Sequence, residues 1–434
     1  RQAVIRISGE EALRICDRIF RGRKPLAAAA GYTVHYGEIV DDGRVLDDVL
    51  VTVFRAPRSY TGEDAAEISC HGSQYIVSEI LRLLTASGAR MAGPGEFTIR
   101  AYLAGKLDLS QAEAVADIIA SSSRAAHALA ANQMRGGYSD ALEGLCEKLL
   151  ELTALLELEL DFSEEEVEFA DRAQLREAMQ RIGAHIDALR NSFTLGNAIK
   201  EGVAVAITGA PNVGKSTLLN RLLNEERVLV SDIAGTTRDV IEERINIDGV
   251  VFRFLDTAGI RATDDRLEQM GIQRTMSSIE RAQIVIYMTD AARLAAGAPV
   301  APEFPLRADQ KLLALVNKTD TAPDCPLPEG TIGISARNGD GIESLRRILR
   351  SFVDTEALYH GDAIVSNNRH YEALTAAGDA LRRALDGLNN SLQTDLLSEE
   401  IRQVIHHVGS VTGRNSLASE EVLKHIFSKH CVGK

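Results

Sequence analysis

The chain has 434 residues, 45% of them hydrophobic and 25% charged, with 62 acidic against 48 basic side chains and a formal net charge of −14. That length suggests two to four domains with ample core, and no apolar stretch is long enough to span a bilayer. The acidic balance argues against non-specific adhesion to nucleic acid, where phosphate neutralisation needs lysine and arginine, although it leaves room for a local basic patch.

The five cysteines (Cys16, Cys70, Cys146, Cys325, Cys431) form no C-x-x-C pair, so a reduced cytoplasmic setting fits better than a disulfide framework or a zinc site. No secretory signal is evident, and the sequence starts at Arg1 without methionine, so a short N-terminal piece is expected to precede it. From Arg1 to about Ala104 the signals are mixed. Tyr32 to Val40 and Val45 to Phe54 read as strands around the turn Asp41-Asp42-Gly43-Arg44, Ala65 to Cys70 as a further strand, and Tyr75 to Ser87 as a helix. From Gly105 to about Asn197 the pattern is helical. Ser110-Gln111-Ala112-Glu113 makes a capping box for a long alanine-rich helix, and Leu145, Leu149, Leu152 and Leu156 form a stripe suited to a bundle core. The run Glu164-Glu165-Glu166 reads as a solvated face or loop rather than a catalytic or metal site.

Val203 to Thr208 is β-type, and the residues after it, Gly209-Ala210-Pro211-Asn212-Val213-Gly214-Lys215-Ser216-Thr217, fit G-x-x-x-x-G-K-[ST] ahead of a helical run beginning at Ser216. Consecutive backbone N–H groups and a helix N-terminus can then surround a polyphosphate, Lys215 reaching the outer phosphates and the Ser216 hydroxyl binding magnesium. The pair Asp248-Gly249 between Ile245-Asn246-Ile247 and Val250-Val251-Phe252 predicts a tight hairpin in the same sheet. Asp256-Thr257-Ala258-Gly259, Asn317-Lys318-Thr319-Asp320 and Ser335-Ala336-Arg337 follow the apolar runs Val250 to Leu255, Leu312 to Val316 and Thr331 to Ile334. Loops at the carboxyl ends of strands converge on one crevice, so the motifs can share one ligand. Asp256 suits a water-bridged hold on magnesium, and the Gly259 N–H the γ-phosphate. Asp320 offers two acceptor oxygens to the paired N–H donors of guanine, which adenine lacks, so the nucleotide is GTP. Asn317 and Lys318 would brace the loop and cover the base, and the Ala336 N–H would meet the guanine carbonyl. After about Thr355 the chain turns helical again to Phe427. The architecture expected is α/β plus α. A P-loop GTPase domain with a mixed, mostly parallel sheet (199-354) is inserted into a helical bundle (105-198 and 355-434), behind an N-terminal α/β domain (1-104).

In Gly235-Thr236-Thr237-Arg238-Asp239, a threonine can complete the magnesium shell while the γ-phosphate is present, and Thr237 is preferred to Thr236. The position just after D-x-x-G, where a Ras-like enzyme carries a water-orienting glutamine, is Ile260. Either hydrolysis is very slow or another group assists it, and two features point to the second. Asn212 inside the phosphate loop could coordinate a monovalent cation in place of an arginine finger, or simply form the loop. By pattern, Glu268 reads as a solvated helix residue, with water orientation as its functional alternative.

The terminus Phe427-Ser428-Lys429-His430-Cys431-Val432-Gly433-Lys434 ends in C-x-G-K. With the G-T-T-R-D run, Asn212 and Ile260, it resembles the tRNA modification GTPase family MnmE (TrmE). The resemblance covers essentially the whole chain: Tyr60-Thr61-Gly62-Glu63-Asp64, Gly93-Pro94-Gly95-Glu96-Phe97, Lys106-Leu107-Asp108-Leu109 and Gln111-Ala112-Glu113-Ala114 also look like its N-terminal signatures. It implies a folate-binding, dimerising α/β domain and a helical domain interrupted by the GTPase domain. It also implies a flavoprotein partner, MnmG, and tRNA as a further partner, with an aminomethyl-type group installed on carbon 5 of the wobble uridine. The one-carbon unit would come from a 5-formyl- or methylene-tetrahydrofolate. By the same resemblance hydrolysis is potassium-stimulated and accompanies dimerisation of the GTPase domains. Asn212 and the carbonyls of the Ser231–Ile233 stretch, Ser231 and Ile233 included, would hold potassium, and Glu268 would orient water. Arg6, Glu67, Lys106 and Lys434 would lie at the folate site, and Cys431 would assist at the uridine. The catalytic candidates are thus Glu268, Asn212, Lys215, Gly235 and Cys431. Two other readings fit the sequence. One is a GTPase switch in ribosome assembly, although no RNA-binding appendage is evident after Thr355. The other is a folate-dependent one-carbon transferase with a regulatory nucleotide domain.

Overall fold

The computed structural model describes residues 1–161, 172–226, 242–255, 276–302, 304–353, 363–390 and 394–413. They fall into two compact units, one from Arg1–Ala116 with the chain from Thr412, the other from Asp117–Val411.

In the first unit β1 (Gln2–Ser8), β2 (Phe20–Gly22), β3 (Thr33–Asp41), β4 (Arg44–Phe54) and β5 (Ala65–His71) form one antiparallel sheet in the order β1-β5-β4-β3-β2. Successive side chains of a strand alternate faces, so Val49, Val51 and Val53 of β4 are buried while Leu50 between them is exposed. The inner face packs under α1 (Ala12–Ile19) and α2 (Gln74–Ala86) through Leu13, Cys16, Ile19, Ile80, Leu83 and Leu84. α3 (Glu96–Leu103) follows. The expected strands and helix are present to within about a residue or two, and β1 and α1, which carry no sharp local signal, complete the layer. Burial pushes the Cys16 thiol up to about 12, so it is inert core. The other described cysteines, Cys70, Cys146 and Cys325, are also free thiols.

α4 (Leu109–Ala120) corrects the expected cap. Asp108 Oδ1 accepts from Gln111 N at 2.8 Å, and Gln111 Oε1 accepts from Asp108 N at 2.9 Å, a reciprocal box two residues before the one expected. Ser110 and Glu113 lie inside the helix and are buried. The helical pattern then divides into α5 (Arg124–Met134), capped by Ser123, α6 (Gly137–Asp161) and α7 (Arg172–Glu201).

The bundle of the second unit is built from both flanks of the segment that carries the phosphate-loop motif. Leu145, Leu149, Leu152 and Leu156 of α6 join Ile182, Ile186 and Leu189 of α7. Leu374, Leu381 and Leu388 of α11 (Asn368–Asn389) and Leu397, Ile401, Val404 and Val408 of α12 (Thr394–Thr412) complete the core. Burying each such side chain stabilises by about 1.5–3 kcal/mol, so the two flanks are held together although the intervening segment separates them in sequence.

The sheet between them has the order β11-β10-β9-β6-β8-β7, formed by β6 (Val203–Gly209), β7 (Glu243–Ile247), β8 (Val250–Phe254), β9 (Ile284–Asp290), β10 (Lys311–Asn317) and β11 (Thr331–Gly333). All neighbours are parallel except β7 and β8, as expected of a P-loop GTPase sheet. Asp248 (φ 48°) and Gly249 (φ 82°) both adopt positive φ, the requirement of the two-residue hairpin turn that joins β7 to β8. The Gly249 carbonyl accepts from Ala125 N at 3.1 Å, tying the hairpin to the start of α5. Ala126 and Leu129 of α5 and Ile199 of α7 share one core with the sheet. α8 (Lys215–Glu226) follows β6, α9 (Ala291–Ala295) follows β9, and α10 (Ile342–Ser351) follows β11.

Candidate functional site

The phosphate loop leaves β6 at Gly209 and enters α8 at Lys215. Gly209 has φ +137°, and a Cβ there would stand 2.1 Å from the Met288 carbonyl oxygen of the neighbouring β9, so only glycine lets the loop start this close to the sheet. Asn212 takes the left-handed conformation at φ 63°, which asparagine tolerates better than most residues. Ser216 and Thr217 sit in the first turn of α8, where N–H groups lack helical partners and the helix dipole favours an anion.

Five successive carbonyls of the loop are each held by a side-chain donor. Lys215 Nζ donates to Gly209 O and Ala210 O, both at 2.9 Å. Arg293 Nη2 donates to Pro211 O at 3.4 Å, Lys318 Nζ to Asn212 O at 2.9 Å, and Asn317 Nδ2 to Val213 O at 2.7 Å. Asn317 is buried, and its Oδ1 also accepts from Ala336 N at 3.0 Å, so one side chain joins the phosphate loop to the Ser335-Ala336-Arg337 loop. The Ala336 N–H expected at the guanine carbonyl is thus engaged by Asn317 here. Arg221 of α8 fastens the same loop by donating to Arg337 O at 2.5 Å, and Ser335 is buried beneath it. Lys318, also left-handed at φ 59°, has a second partner in Asp290 Oδ2 at 3.1 Å. Asp320 follows in a short 3-10 turn and is exposed. The structure therefore brings Gly209 to Thr217, Asn317, Lys318 and Ser335 to Arg337 to the carboxyl edge of one sheet, with Asp320 directly after them in chain.

Asp290 and Arg293 carry no motif and were missed by sequence reasoning. Asp290 Oδ1 caps α9 by accepting from Arg293 N at 2.9 Å. Burial alone would raise the Asp290 carboxyl, but hydrogen bonds from the Arg293 N–H and from Lys318 hold it below its ordinary value. Burial, and then the charge of Arg293, push the Lys215 ammonium below its ordinary value.

A second polar cluster lies on the first unit. The β1–β5 register sets Arg6 opposite Glu67, and its guanidinium donates to Glu67 Oε1 at 2.6 and 2.8 Å. The Tyr60 and Phe97 rings stand 5.5 and 5.6 Å from the guanidinium carbon, within cation–π range. Beside them Ser8 Oγ donates to Glu63 Oε2 at 2.9 Å, Arg100 reaches the same oxygen at 3.0 Å, and the Tyr60 hydroxyl pairs with Thr98 Oγ1 at 3.0 Å. Lys106 Nζ donates to Pro57 O. The segments Tyr60 to Asp64 and Gly93 to Phe97, far apart in sequence, thus meet at the end of β1.

The family description "MnmE helical domain" matches residues 109–431, and "GTP-binding protein TrmE N-terminus" matches residues 2–106. The chain belongs to the MnmE family. The tRNA modification GTPase MnmE of Cytophaga hutchinsonii is 48% identical over 437 residues, 99% of this chain and 94% of that protein. Its counterpart from Flavobacterium johnsoniae is 48% identical over 452 residues, 100% of this chain and 96% of that one. Among solved structures, Era in complex with MgGDPNP and 16S ribosomal RNA nucleotides is 28% identical over 41% of this chain and 65% of that one, with a TM-score of 0.26. Of the residues expected at this MnmE-family chain's sites, Ser231, Ile233, Gly235, Thr236, Thr237, Asp256, Thr257, Ala258, Gly259, Glu268, Cys431 and Lys434 lie outside the described residues, as does Ile260. Among the described residues no helix is long and apolar enough to cross a membrane.

Proposed function

We propose that the protein is a potassium-activated GTPase that acts with an MnmG-like flavoprotein on carbon 5 of the wobble uridine of certain tRNAs. The product would carry an aminomethyl or carboxymethylaminomethyl group, its one-carbon unit drawn from a 5-formyl- or methylene-tetrahydrofolate. The working form is a cytoplasmic homodimer formed through the N-terminal domain. The observation that carries the reading is Asn212, left-handed at the turn of a phosphate loop whose carbonyls are all tied back, in a chain of this family.

Ser216 and Thr237 would hold magnesium, with Asp256 behind water. Asn212 with the Ser231 and Ile233 carbonyls would hold potassium. Bound there, the two ions would supply positive charge to offset that on the transferring phosphoryl group. Glu268 orients the attacking water, and Asp320 reads the guanine edge. At the folate site Arg6 and Lys106 suit the ligand's carboxylates, Glu67 suits a pterin N–H edge, and the Tyr60 and Phe97 rings offer flat apolar walls. The Arg6–Glu67 pair is part-exposed, and such pairs are worth about 0–1 kcal/mol, so a ligand opens it at little cost. Lys434 and Cys431 act from the C-terminal segment, Cys431 at the uridine.

The test is reconstitution. Purified protein, the flavoprotein, tRNA, GTP, ammonium or glycine and a tetrahydrofolate donor are incubated, and the wobble nucleoside is analysed by mass spectrometry. We expect the C5-modified uridine only when this chain and hydrolysable GTP are both present. GTP turnover without any modified nucleoside would refute the proposal.

A further inference from the structure

Five consecutive phosphate-loop carbonyls are each held by a side-chain donor, four of them by Lys215 of the loop itself and by Asn317 and Lys318, which belong to recognised nucleotide motifs. The fifth, Pro211 O, is held by Arg293, which belongs to none. A planar trans peptide points its C=O and its N–H in opposite directions. With the Pro211 carbonyl held toward Arg293, the Asn212 N–H of the same peptide points away from Arg293. Proline has no N–H of its own, so after Ala210 this is the first donor the loop can offer a phosphate. The same peptide plane fixes where Asn212 stands.

We propose that Arg293 is a positioning residue of the phosphate loop, which holds the Pro211–Asn212 peptide in the orientation that presents Asn212 to the nucleotide's phosphates. Its placement is built, not incidental. Asp290 caps α9 on the Arg293 N–H and holds Lys318 with its other oxygen, so one buried carboxylate sets the donors for two adjacent carbonyls, Pro211 O and Asn212 O. The guanidinium is also close enough to Lys215 for its charge to weigh on that ammonium. When a nucleotide draws Lys215 to its phosphates, the Gly209 and Ala210 carbonyls lose their donor, whereas Arg293 and Lys318 need not move. They are the struts that keep the loop's turn in shape through the cycle. The consequence for potassium rests on the reading of Asn212 given above: a loosened Pro211–Asn212 peptide also misplaces the amide that would ligate the cation.

The test uses the full chain with Arg293→Ala and Arg293→Lys. Affinity for a fluorescent GDP is measured in sodium chloride at low and at about 0.5 M salt, where the Debye length is only a few ångströms. One charged hydrogen bond lost at an exposed site predicts affinity about threefold to tenfold weaker for Arg293→Ala at both salt concentrations, with Arg293→Lys within about twofold of the parent. In potassium chloride, Arg293→Ala should also need several-fold more potassium for half-maximal hydrolysis. Three results would overturn the proposal. They are parental affinity in Arg293→Ala, a loss that vanishes at high salt and so reflects only long-range charge, or Arg293→Lys as weak as Arg293→Ala. Failure of the potassium reading is seen separately, as a parent chain that hydrolyses GTP equally in sodium and potassium, and the affinity measurements in sodium still decide the role of Arg293.

Discussion

Asn317 ties the phosphate loop to the Ser335-Ala336-Arg337 loop, and the proposed nucleotide site rests on that bridge. The residue is 3% exposed, and its side chain makes two hydrogen bonds, Nδ2 to Val213 O at 2.7 Å and Oδ1 from Ala336 N at 3.0 Å. Asn317→Ala removes both and strands an acceptor in one loop and a donor in the other. Leaving a buried polar group unsatisfied costs about 1–3 kcal/mol, so two such groups, partly relieved by water entering the crevice, amount to about 3 kcal/mol. If that cost falls on the organised loop, GDP binding weakens on the order of a hundredfold. Asn317→Asp is the sharper variant. Its carboxylate still accepts from Ala336 N but sets a negative oxygen against the Val213 carbonyl, so it should bind GDP no better than Asn317→Ala despite its near-identical shape. Titration of a fluorescent GDP into each purified variant measures this directly. Affinity within twofold of the parent for both variants would show that the bridge between the two loops does not organise the site.

Three further outcomes are expected. Asp320→Asn should lose GTP and gain xanthosine triphosphate, because an amide can donate to the carbonyl that xanthine carries where guanine has an amino group, and competition between the two nucleotides reads the switch. Gly209→Ala should abolish nucleotide binding, since its Cβ would lie 2.1 Å from Met288 O at a φ of +137°; measurable affinity for GDP would mean that β6 and β9 can separate. Asp290 has a folded-state carboxyl held below its ordinary value of 3.8, so its contribution to stability is complete above that value and is lost as pH falls through the lowered one. Asp290→Asn should therefore flatten the acid limb of melting temperature against pH below about 4, and an unchanged limb would show that Lys318 and α9 do not depend on its charge.

What could be seen in the sequence was what is local. The phosphate loop, the Asp248-Gly249 turn and the Asn317 motif are contiguous, and each needs particular residues at particular steps, so their places in the sheet followed. The inserted architecture followed too, because helical patterns flank the nucleotide motifs on both sides, from Gly105 to about Asn197 and again after about Thr355. The capping box was displaced by two residues because two candidates compete there, and Asp108 with Gln111 three residues on outbids Ser110 once Ser110 and Glu113 are buried. What was not legible depends on pairing across long separations. Arg6 meets Glu67 through a strand register spanning 61 residues, and Tyr60 meets Arg6 and Thr98 only after the sheet has formed. Arg293 reaches Pro211 across 82 residues from the first turn of a five-residue helix, with nothing in its neighbours to announce it.

The most direct measurement is the GTP hydrolysis rate of the purified chain in potassium chloride against sodium chloride at matched ionic strength, with Asn212→Ala alongside. A cation standing in for an arginine finger predicts strong stimulation by potassium in the parent, on the scale of the 10³–10⁵ that such a charge contributes elsewhere at full effect, and none in the variant, which still binds guanine nucleotide. Equal, slow rates for the parent in both salts would contradict it and would assign activation to a partner protein.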